Sequence, residues 1–224
     1  MAPKVGLPNA LTLACLGLSF AIIGAAGQGE TALGLRLLAF CLLADGLAGR
    51  AAKRPGASTE LGAELDSLGA LLAYGVAAPL LAFTAAAGLE GWGWQGWALC
   101  GALALACGLR LARDNADSPD FPHYQGLPPA ATAFVMGGAL AQGVGGPVLA
   151  LLIIGACVLM LSPLRYPRLK LPVPLMAPLG LLLASAALGW QPAWLGLAAI
   201  GLAYSLAAWA FALPSAPDPA QTQG

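Results

Sequence analysis

The chain has 224 residues, of which 59% are hydrophobic and only 9% are charged, and its ten basic and ten acidic residues give a net charge of zero. Soluble domains carry roughly 25% charged residues, and a soluble particle of this length cannot bury such an excess of apolar side chains. These values exclude a soluble globular domain, a disordered chain and a nucleic-acid-binding protein, and they favour a polytopic helical membrane protein.

Apolar segments follow one another along the chain between polar or Gly/Pro-rich breaks. They are residues 10–27, 33–52, 64–87, 94–112, 128–144, 147–162, 172–189 and 193–213. Because a spanning helix needs about 20 residues, we predict an all-α transmembrane bundle of about eight spans in a single domain over residues 1–213. The glycine-rich stretch 128–162 reads as two spans or as one re-entrant unit. The polar tail 214–224 is expected to be disordered.

The first apolar segment is interpreted as a retained span and not as a cleaved signal peptide. Cysteines lie inside the apolar segments, and their spacing fits neither a metal site nor a secreted disulfide framework. They are Cys15, Cys41, Cys100, Cys107 and Cys157. Cys100 and Cys107 could share a helix face, and we expect these two to fill small apolar spaces between helices.

Basic residues alternate between the two sides of the predicted bundle. One side carries Lys4, the cluster 50–54, Arg110 with Arg113, and the cluster 165–170. The opposite connections carry Glu30 and Glu90, and only Arg36 departs from the pattern. Since positive residues favour the cytoplasmic side, we expect both termini on the cytoplasmic side of the membrane.

Two acidic residues lie at the cytoplasmic ends of neighbouring spans, where charge is costly. Asp45 is near the end of the second segment and Asp66 near the start of the third. Charged side chains at such depths usually face a cavity, and two antiparallel helices could bring both carboxylates to one point. Gly49 and Gly62 lie one turn from them and would let a bulky ligand approach the backbone.

Carboxylates at close range suggest a divalent cation, because hard oxygen ligands favour Mg²⁺, Mn²⁺ or Ca²⁺ and Mg²⁺ typically bridges to phosphate oxygens. Arg50, Lys53 and Arg54 would then bind the phosphate. Alternatively, the acids cap helix starts or pair with the loop cations, and those cations only set the topology. The residue pattern leaves both interpretations open.

The stretches DGLAGRAAK at 45–53 and GAELDSLGA at 62–70 are separated by eight residues. Together they resemble, without a gap, the motif DxxDGxxAR, eight residues, GxxxDxxxD of the CDP-alcohol phosphatidyltransferases. Further segments follow in the family's order: PNALT at 8–12, YGVA at 74–77, RLARDN at 110–115, GLP at 126–128 and LSPLRYP at 161–167. The ordered set looks most like the bacterial phosphatidylserine synthase subgroup (CDP-diacylglycerol–serine O-phosphatidyltransferases).

The resemblance implies a reaction in which an alcohol, with serine expected, attacks the β-phosphorus of CDP-diacylglycerol and CMP leaves. It implies Mg²⁺ or Mn²⁺ held by the motif carboxylates, a general base at the last carboxylate, a site at the cytoplasmic face and a homodimer. Asp45 and Asp66 would be metal ligands. Substrate and phosphate would be bound by Gly49, Arg50, Lys53, Arg54, Gly62, Arg110 and Arg113.

The sequence departs from the motif at three positions. Ala48 and Ala70 stand where the second and fourth carboxylates belong, and Lys53 replaces the motif arginine. Two carboxylates would hold two divalent ions weakly, and loss of a general base costs about 10²–10⁴ in rate. Acidic residues elsewhere could replace the missing groups, and the sequence does not decide this; they are Glu60, Asp114, Asp117 and Asp120.

The sequence therefore leaves three functions open. The first is a working phosphatidyltransferase with altered metal dependence. The second is a catalytically impaired relative that binds a CDP-lipid or another anionic lipid as a regulator or scaffold. The third is a transporter that reuses the fold, which the absence of a broken-helix repeat disfavours.

Overall fold

The structure is a computed structural model, and it describes residues 6–54, 59–87, 93–116, 123–168 and 173–210. In the first half, α1 spans Leu7–Gly27, α2 Thr31–Ala52, α3 Glu60–Ala70, α4 Ala78–Ala87 and α5 Gly93–Ala116, with a π-helical segment at Leu71–Ala77 between α3 and α4. In the second half, α6 spans Pro129–Ala141, α7 Gly146–Leu161, α8 Val173–Ala187 and α9 Pro192–Ala210, with strands β1 at His123–Gln125 and β2 at Arg165–Pro167.

The described helices coincide with the predicted apolar segments. The π-helical segment joins α3 and α4 into one rod over Glu60–Ala86, so the elements form eight helical units. Four units are long and apolar enough to cross a membrane, and the other four are shorter apolar helices. The prediction of a helical membrane bundle is confirmed. The two termini, and with them the predicted tail at 214–224, lie outside the described residues.

The glycine-rich stretch 128–162 forms two helices. Helix α6 ends at Ala141, and α7 begins at Gly146 with Gly145 as its N-cap residue. Pro147 occupies the first turn of α7, where its missing N–H removes no helical hydrogen bond. Of the two interpretations of this stretch, the one with two separate helices is therefore the one observed.

The prediction of an all-α protein is wrong in one detail, a short antiparallel ribbon at one end of the bundle. Strand β1 pairs with β2, and Tyr124 lies opposite Tyr166. The connections that follow α5 and α7 run side by side there, and the ladder satisfies their backbone polar groups. Tyr166 is fully buried, and its hydroxyl donates a hydrogen bond to the Ser205 carbonyl at 3.3 Å, which fastens the ribbon to α9.

Helix α1 packs against α2, α3, the π-helical segment and α4. Helix α6 packs mainly against α9, and α5 packs equally against α7 and the π-helical segment. The expectation that the cysteines form no disulfide framework is wrong for Cys15 and Cys41, which form a disulfide between α1 and α2 with their Cα atoms 4.9 Å apart. Two small side chains face each other there because these helices approach closely, and no spacing in the sequence indicates such a contact. Cys100 and Cys107 are buried and free, as expected.

Candidate functional site

A cavity of about 200 Å³ opens between α1, α2 and α3 at the end of the bundle where α1 and α3 begin and α2 ends. Its lining residues are Pro8, Asn9 and Thr12 from α1, Ala48, Gly49 and Ala52 from α2, and Thr59, Gly62, Ala63 and Asp66 from α3 and its N-cap. Three of the predicted site residues, Gly49, Gly62 and Asp66, therefore line one cavity.

The cavity exists because α2 and α3 both pack against α1 and make few contacts with each other. Asp45 lies seven residues before the end of α2, and Asp66 lies six residues after the start of α3. At about 1.5 Å per residue, these positions are about 10 Å and about 9 Å from the helix ends. The C-terminus of α2 and the N-terminus of α3 lie at the same end of the bundle. The two carboxyl groups therefore lie at a similar depth below that end.

Gly62 allows the polar lining of the cavity to form. A Cβ atom at this position would lie 2.8 Å from Asn9 Oδ1 and 3.0 Å from Thr59 Oγ1. Thr59 is the N-cap of α3, and its hydroxyl oxygen accepts a hydrogen bond from the Gly62 N–H at 3.0 Å. Any larger residue would displace the Asn9 carboxamide, which is 5% exposed, or the helix cap.

Two helix N-termini converge on this cavity. Lining residues come from the first turns of α1, which begins at Leu7, and of α3, which begins at Glu60. A helix N-terminus carries unpaired N–H groups and about half a positive charge, which together favour a bound phosphate or carboxylate. The C-terminus of α2 also lies here, and Arg50 in its last turn offsets the negative end of that helix dipole.

The two predicted metal ligands lie in different surroundings. Asp66 is exposed on the cavity wall. Asp45 is half-buried, and its Oδ2 accepts a hydrogen bond of 3.1 Å from the hydroxyl of Tyr74. Tyr74 is 1% exposed and belongs to the π-helical segment. Asp45 and Asp66 interact electrostatically with each other and with Tyr74, but only Asp66 belongs to the cavity lining.

The described side chains do not fit a site for two divalent ions. No group of three or more His, Cys, Asp or Glu residues comes together anywhere in the described ranges. At the cavity, Ala48 occupies the wall where the resemblance would place a further carboxylate, and one oxygen of Asp45 is already engaged by Tyr74. Two ions carry about four positive charges, and two carboxylates balance only half of them.

The structure separates the basic residues that the sequence groups together. The Arg50 guanidinium contacts Met176 Sδ on α8 at 3.2 Å, and Lys53 lines a second cavity near α8 and α9. Arg54 is exposed and Arg113 is half-buried. None of these four belongs to the lining of the cavity between α1, α2 and α3. Their proposed phosphate contacts would need side-chain movement.

Arg110 is buried, 3% exposed, and its Nη2 forms an ion pair of 3.0 Å with Asp114 Oδ2 one turn later on α5. Its guanidinium also lies over the Tyr124 ring, 5.1 Å from the centroid. Asp114 is engaged in this ion pair and is not among the residues lining the cavity between α1, α2 and α3, so its role as a replacement for a missing motif carboxylate stays a prediction. Of the other proposed replacements, Glu60 is exposed outside the cavity lining, and residues 117–122 lie outside the described ranges.

Sequence reasoning missed four polar residues of this region as site residues. Asn9, Thr12 and Thr59 line the cavity, and Tyr74 holds Asp45. The segment PNALT at 8–12 was the available signal for the first two, because its asparagine and threonine fall on one face of α1. Nothing in the spacing around Tyr74 indicates its partner, since the π-helical segment changes the helical register.

The chain is similar to known phosphatidyltransferases. A family model described as CDP-alcohol phosphatidyltransferase matches residues 5–212. The CDP-diacylglycerol–serine O-phosphatidyltransferase of Helicobacter pylori (strain ATCC 700392 / 26695) is 30% identical over 178 residues, which cover 75% of this chain and 74% of that protein. The protein of that name from Mycobacterium tuberculosis (strain ATCC 25618 / H37Rv) is 32% identical over 142 residues, 60% of this chain and 49% of that protein. The chain thus spans about half the length of the mycobacterial relatives it matches.

Proposed function

The chain belongs to the CDP-alcohol phosphatidyltransferase family, and from this membership and the site geometry we propose that it transfers a phosphatidyl group from CDP-diacylglycerol to an alcohol. One observation carries the proposal: two helix N-termini and the carboxylate of Asp66 meet at one open cavity. Serine is the proposed acceptor because the similar proteins from Helicobacter pylori and Mycobacterium tuberculosis are named for it.

The cavity supports binding of the cytidine diphosphate headgroup. The N-termini of α1 and α3 attract the diphosphate, and the Asn9 carboxamide and the Thr59 hydroxyl offer hydrogen bonds to ribose or base. Because Gly49 and Gly62 add no side chain to the wall, the ligand can approach the backbone of both helices. The diacylglycerol part would remain in the bilayer beside the bundle.

The proposed reaction is a displacement at phosphorus. The alcohol oxygen forms a bond to the β-phosphorus, the bond from that phosphorus to the CMP oxygen breaks, and CMP leaves with the electron pair. Asp66 is the only acidic residue among the described cavity-lining side chains, so we assign to it the role of accepting the alcohol proton. No step is assigned to a metal ion, because the described donor set does not fit the two-ion site.

We further propose that the cavity faces the cytoplasm of a bacterial inner membrane and that the protein is a homodimer. The orientation is supported by the basic residues at the end of the bundle where the cavity opens, among them Arg50, Lys53 and Arg54. In this orientation CMP and serine exchange with the cytoplasm, while the lipid substrate and product stay in the membrane.

The test is release of CMP by purified protein from CDP-diacylglycerol in mixed micelles, with labelled serine and with Mg²⁺ or Mn²⁺ in the buffer. We expect Asp66→Asn to lower turnover by about 10²-fold or more, because an amide cannot take the proton. Glu64→Gln is the matched control, since Glu64 is an exposed acid on the same helix outside the cavity lining. Equal turnover by the two variants would contradict the role of Asp66.

A second function is favoured by a specific observation, the two alanines at motif carboxylate positions. Ala48 is 2% exposed and lines the cavity, and Ala70 ends α3 just before the π-helical segment. Under this alternative, the protein binds a CDP-lipid or another anionic lipid without turnover and acts as a regulator or scaffold. Binding of CDP-diacylglycerol without CMP release from any alcohol supports it.

The combined variant Ala48→Asp with Ala70→Asp separates the two functions. If the wild type binds the donor without turnover because it lacks carboxylates, then Asp66 alone does not suffice as the base, and the variant gains metal-dependent CMP release by about 10²-fold or more. Unchanged turnover in the folded variant would show that the missing carboxylates are not what sets the rate. Ala48→Asn with Ala70→Asn has nearly the same size without the charge and is the control.

A further inference from the structure

A second described cavity is larger than the one assigned to the CDP headgroup and is separate from it. It has a volume of about 450 Å³, which is within the range of roughly 300–1,000 Å³ found for small-molecule sites. Lys53, Tyr124, Arg168 and Tyr204 supply its polar lining. No residue of this lining also lines the cavity between α1, α2 and α3.

The polar end of this second cavity is cationic and built from packed groups. The Arg168 guanidinium lies over the Tyr124 ring, 4.6 Å from its centroid, and Arg110 lies 5.1 Å from the same centroid. The Tyr204 hydroxyl donates a 2.8 Å hydrogen bond to the Pro167 carbonyl, which holds the ribbon against α9. Lys53 at the end of α2 adds a second charged group to the lining, and the described residues of the lining include no acidic side chain.

The remainder of the lining is apolar and extends into the bundle. Phe134 lies five residues into α6 and Leu179 six residues into α8, so the apolar lining reaches about 7–9 Å from the ends of these helices. Ile200 of α9, which is 40% exposed, forms part of the wall. A cationic end at the membrane face with an apolar body below it has the polarity of a bilayer lipid.

We propose that this cavity between α6, α8 and α9 binds an anionic glycerophospholipid of the surrounding bilayer, at a site separate from the donor site. Arg168 and Lys53 contact the lipid phosphate, and one acyl chain lies along Phe134, Leu179 and Ile200. Two basic side chains among the described lining residues, Lys53 and Arg168, favour an anionic over a zwitterionic headgroup. The proposal does not rest on catalysis, so it stands or fails independently of the phosphatidyl transfer proposed above.

Native mass spectrometry of delipidated protein in non-ionic detergent tests the proposal. The probes are phosphatidylglycerol, phosphatidylcholine, diacylglycerol and glycerol 3-phosphate. We expect one retained phosphatidylglycerol per chain, and at least about tenfold less retention of each of the other three, because each lacks the net anionic charge, the phosphate or the tails. Equal retention of phosphatidylglycerol and phosphatidylcholine, or retention of glycerol 3-phosphate alone, would overturn the proposal.

Variants locate the lipid. Arg168→Ala and Lys53→Ala should each lower phosphatidylglycerol retention by about tenfold, the usual loss for one charged hydrogen bond. Arg165→Ala removes a basic residue of the same ribbon that does not line the cavity, and retention should not change. Ile200→Trp should fill the apolar body and abolish retention, whereas Ile154→Trp, at an exposed position of α7 outside the lining, should not. An equal loss of phosphatidylglycerol retention in Arg165→Ala and Arg168→Ala, or in Ile154→Trp and Ile200→Trp, would refute the assignment of the lipid to this cavity.

Adding CDP-diacylglycerol distinguishes a separate site from a donor tail site. A species that holds one phosphatidylglycerol and one CDP-diacylglycerol supports two sites. Displacement of phosphatidylglycerol by CDP-diacylglycerol in a one-to-one ratio would contradict the proposal, because the donor would then occupy the second cavity itself.

Discussion

Asp66 and Ala48 line the same cavity, and they bear differently on its chemistry. Asp66 matches a carboxylate of the family motif, whereas Ala48 stands at the position of another and offers only a methyl group. A single carboxylate can accept a proton or bind one cation, but it cannot support the charge of two divalent ions. The residue-level question is therefore how much turnover one lining carboxylate supports.

The hydrogen bond from Tyr74 to Asp45 gives a prediction at this scale. Both groups lie inside the bundle, and the bond is 3.1 Å long. Tyr74→Phe should lower the free energy of unfolding by about 1 kcal/mol in a background with Asp45 and by much less in an Asp45→Ala background. The coupling energy between the two sites should be about 0.5–1.5 kcal/mol, which is the range for side-chain hydrogen bonds within membranes.

Unfolding in SDS titrations of detergent-solubilised protein measures this coupling. Tyr166→Phe is the control, because the Tyr166 hydroxyl bonds to the Ser205 carbonyl and its loss should be the same with or without Asp45. If Tyr74→Phe costs the same in both backgrounds, the hydrogen bond is not formed in the folded protein.

Of the predicted site residues, two glycines and one acidic residue line the cavity between α1, α2 and α3, whereas the basic residues do not. Gly49, Gly62 and Asp66 were identified because a motif with fixed spacing places them on facing helices, and the structure brings all three to one cavity. Arg50 and Lys53 were grouped with them because they are close in sequence. Their long side chains point to α8 and to the second cavity instead, and spacing alone cannot determine the direction of a flexible chain.

At the scale of elements, hydropathy located the helices and missed the ribbon. An apolar run of 15 or more residues has few alternatives in a membrane, so the eight segments could be read directly. Strands β1 and β2 have three residues each, which is too short for a periodic pattern. The π-helical segment also has no signature in composition, although it places Tyr74 against Asp45.

The turn that enters α6 provides a test of the ribbon. Gly126 has φ of +78°, its N–H donates to the Leu164 carbonyl at 2.8 Å, and a Cβ there would collide with the Met160 carbonyl oxygen. Gly126→Ala should therefore lower the free energy of unfolding by about 2–4 kcal/mol, the sum of a left-handed backbone penalty and a packing clash.

Gly143→Ala is the matched control for this turn. Gly143 has φ of +64°, and no heavy atom lies within 4 Å of its Cβ position, so only the backbone penalty of about 1 kcal/mol remains. Thermal unfolding in detergent should rank wild type above Gly143→Ala and Gly143→Ala above Gly126→Ala. Equal stability of the two variants would mean that the ribbon does not pack against α7 as described.

At the scale of the whole molecule, the cavity between α1, α2 and α3 is a product of packing. Each helix contributes small or polar lining residues from one end, and the gap remains because α1 separates α2 from α3. Sequence could predict that Asp45 and Asp66 reach a similar depth, since antiparallel connection and a constant rise per residue determine depth. It could not predict that Asp45 turns to Tyr74, because that contact depends on the packing of the third helical unit.

The second cavity shows the same limit for residues distant in sequence. Lys53, Tyr124 and Arg168 come from three separate connections, yet they line one space between α6, α8 and α9. Charge alternation predicts that these connections share one side of the membrane. It does not specify which side chains converge there, because that depends on how α9 and the ribbon dock.

Equilibrium binding of CDP-diacylglycerol to the purified protein tests most directly whether the cavity between α1, α2 and α3 holds the CDP headgroup. A leucine at position 62 would displace Asn9 or fill the cavity, since even its Cβ would lie 2.8 Å from Asn9 Oδ1. Gly101→Leu is the control, because that position on α5 is exposed and has no heavy atom within 4 Å of its Cβ position. We predict that Gly62→Leu weakens binding by at least about tenfold, or 1.4 kcal/mol, and that Gly101→Leu binds like the wild type. Equal affinity of all three proteins would place the headgroup elsewhere and contradict the proposed site.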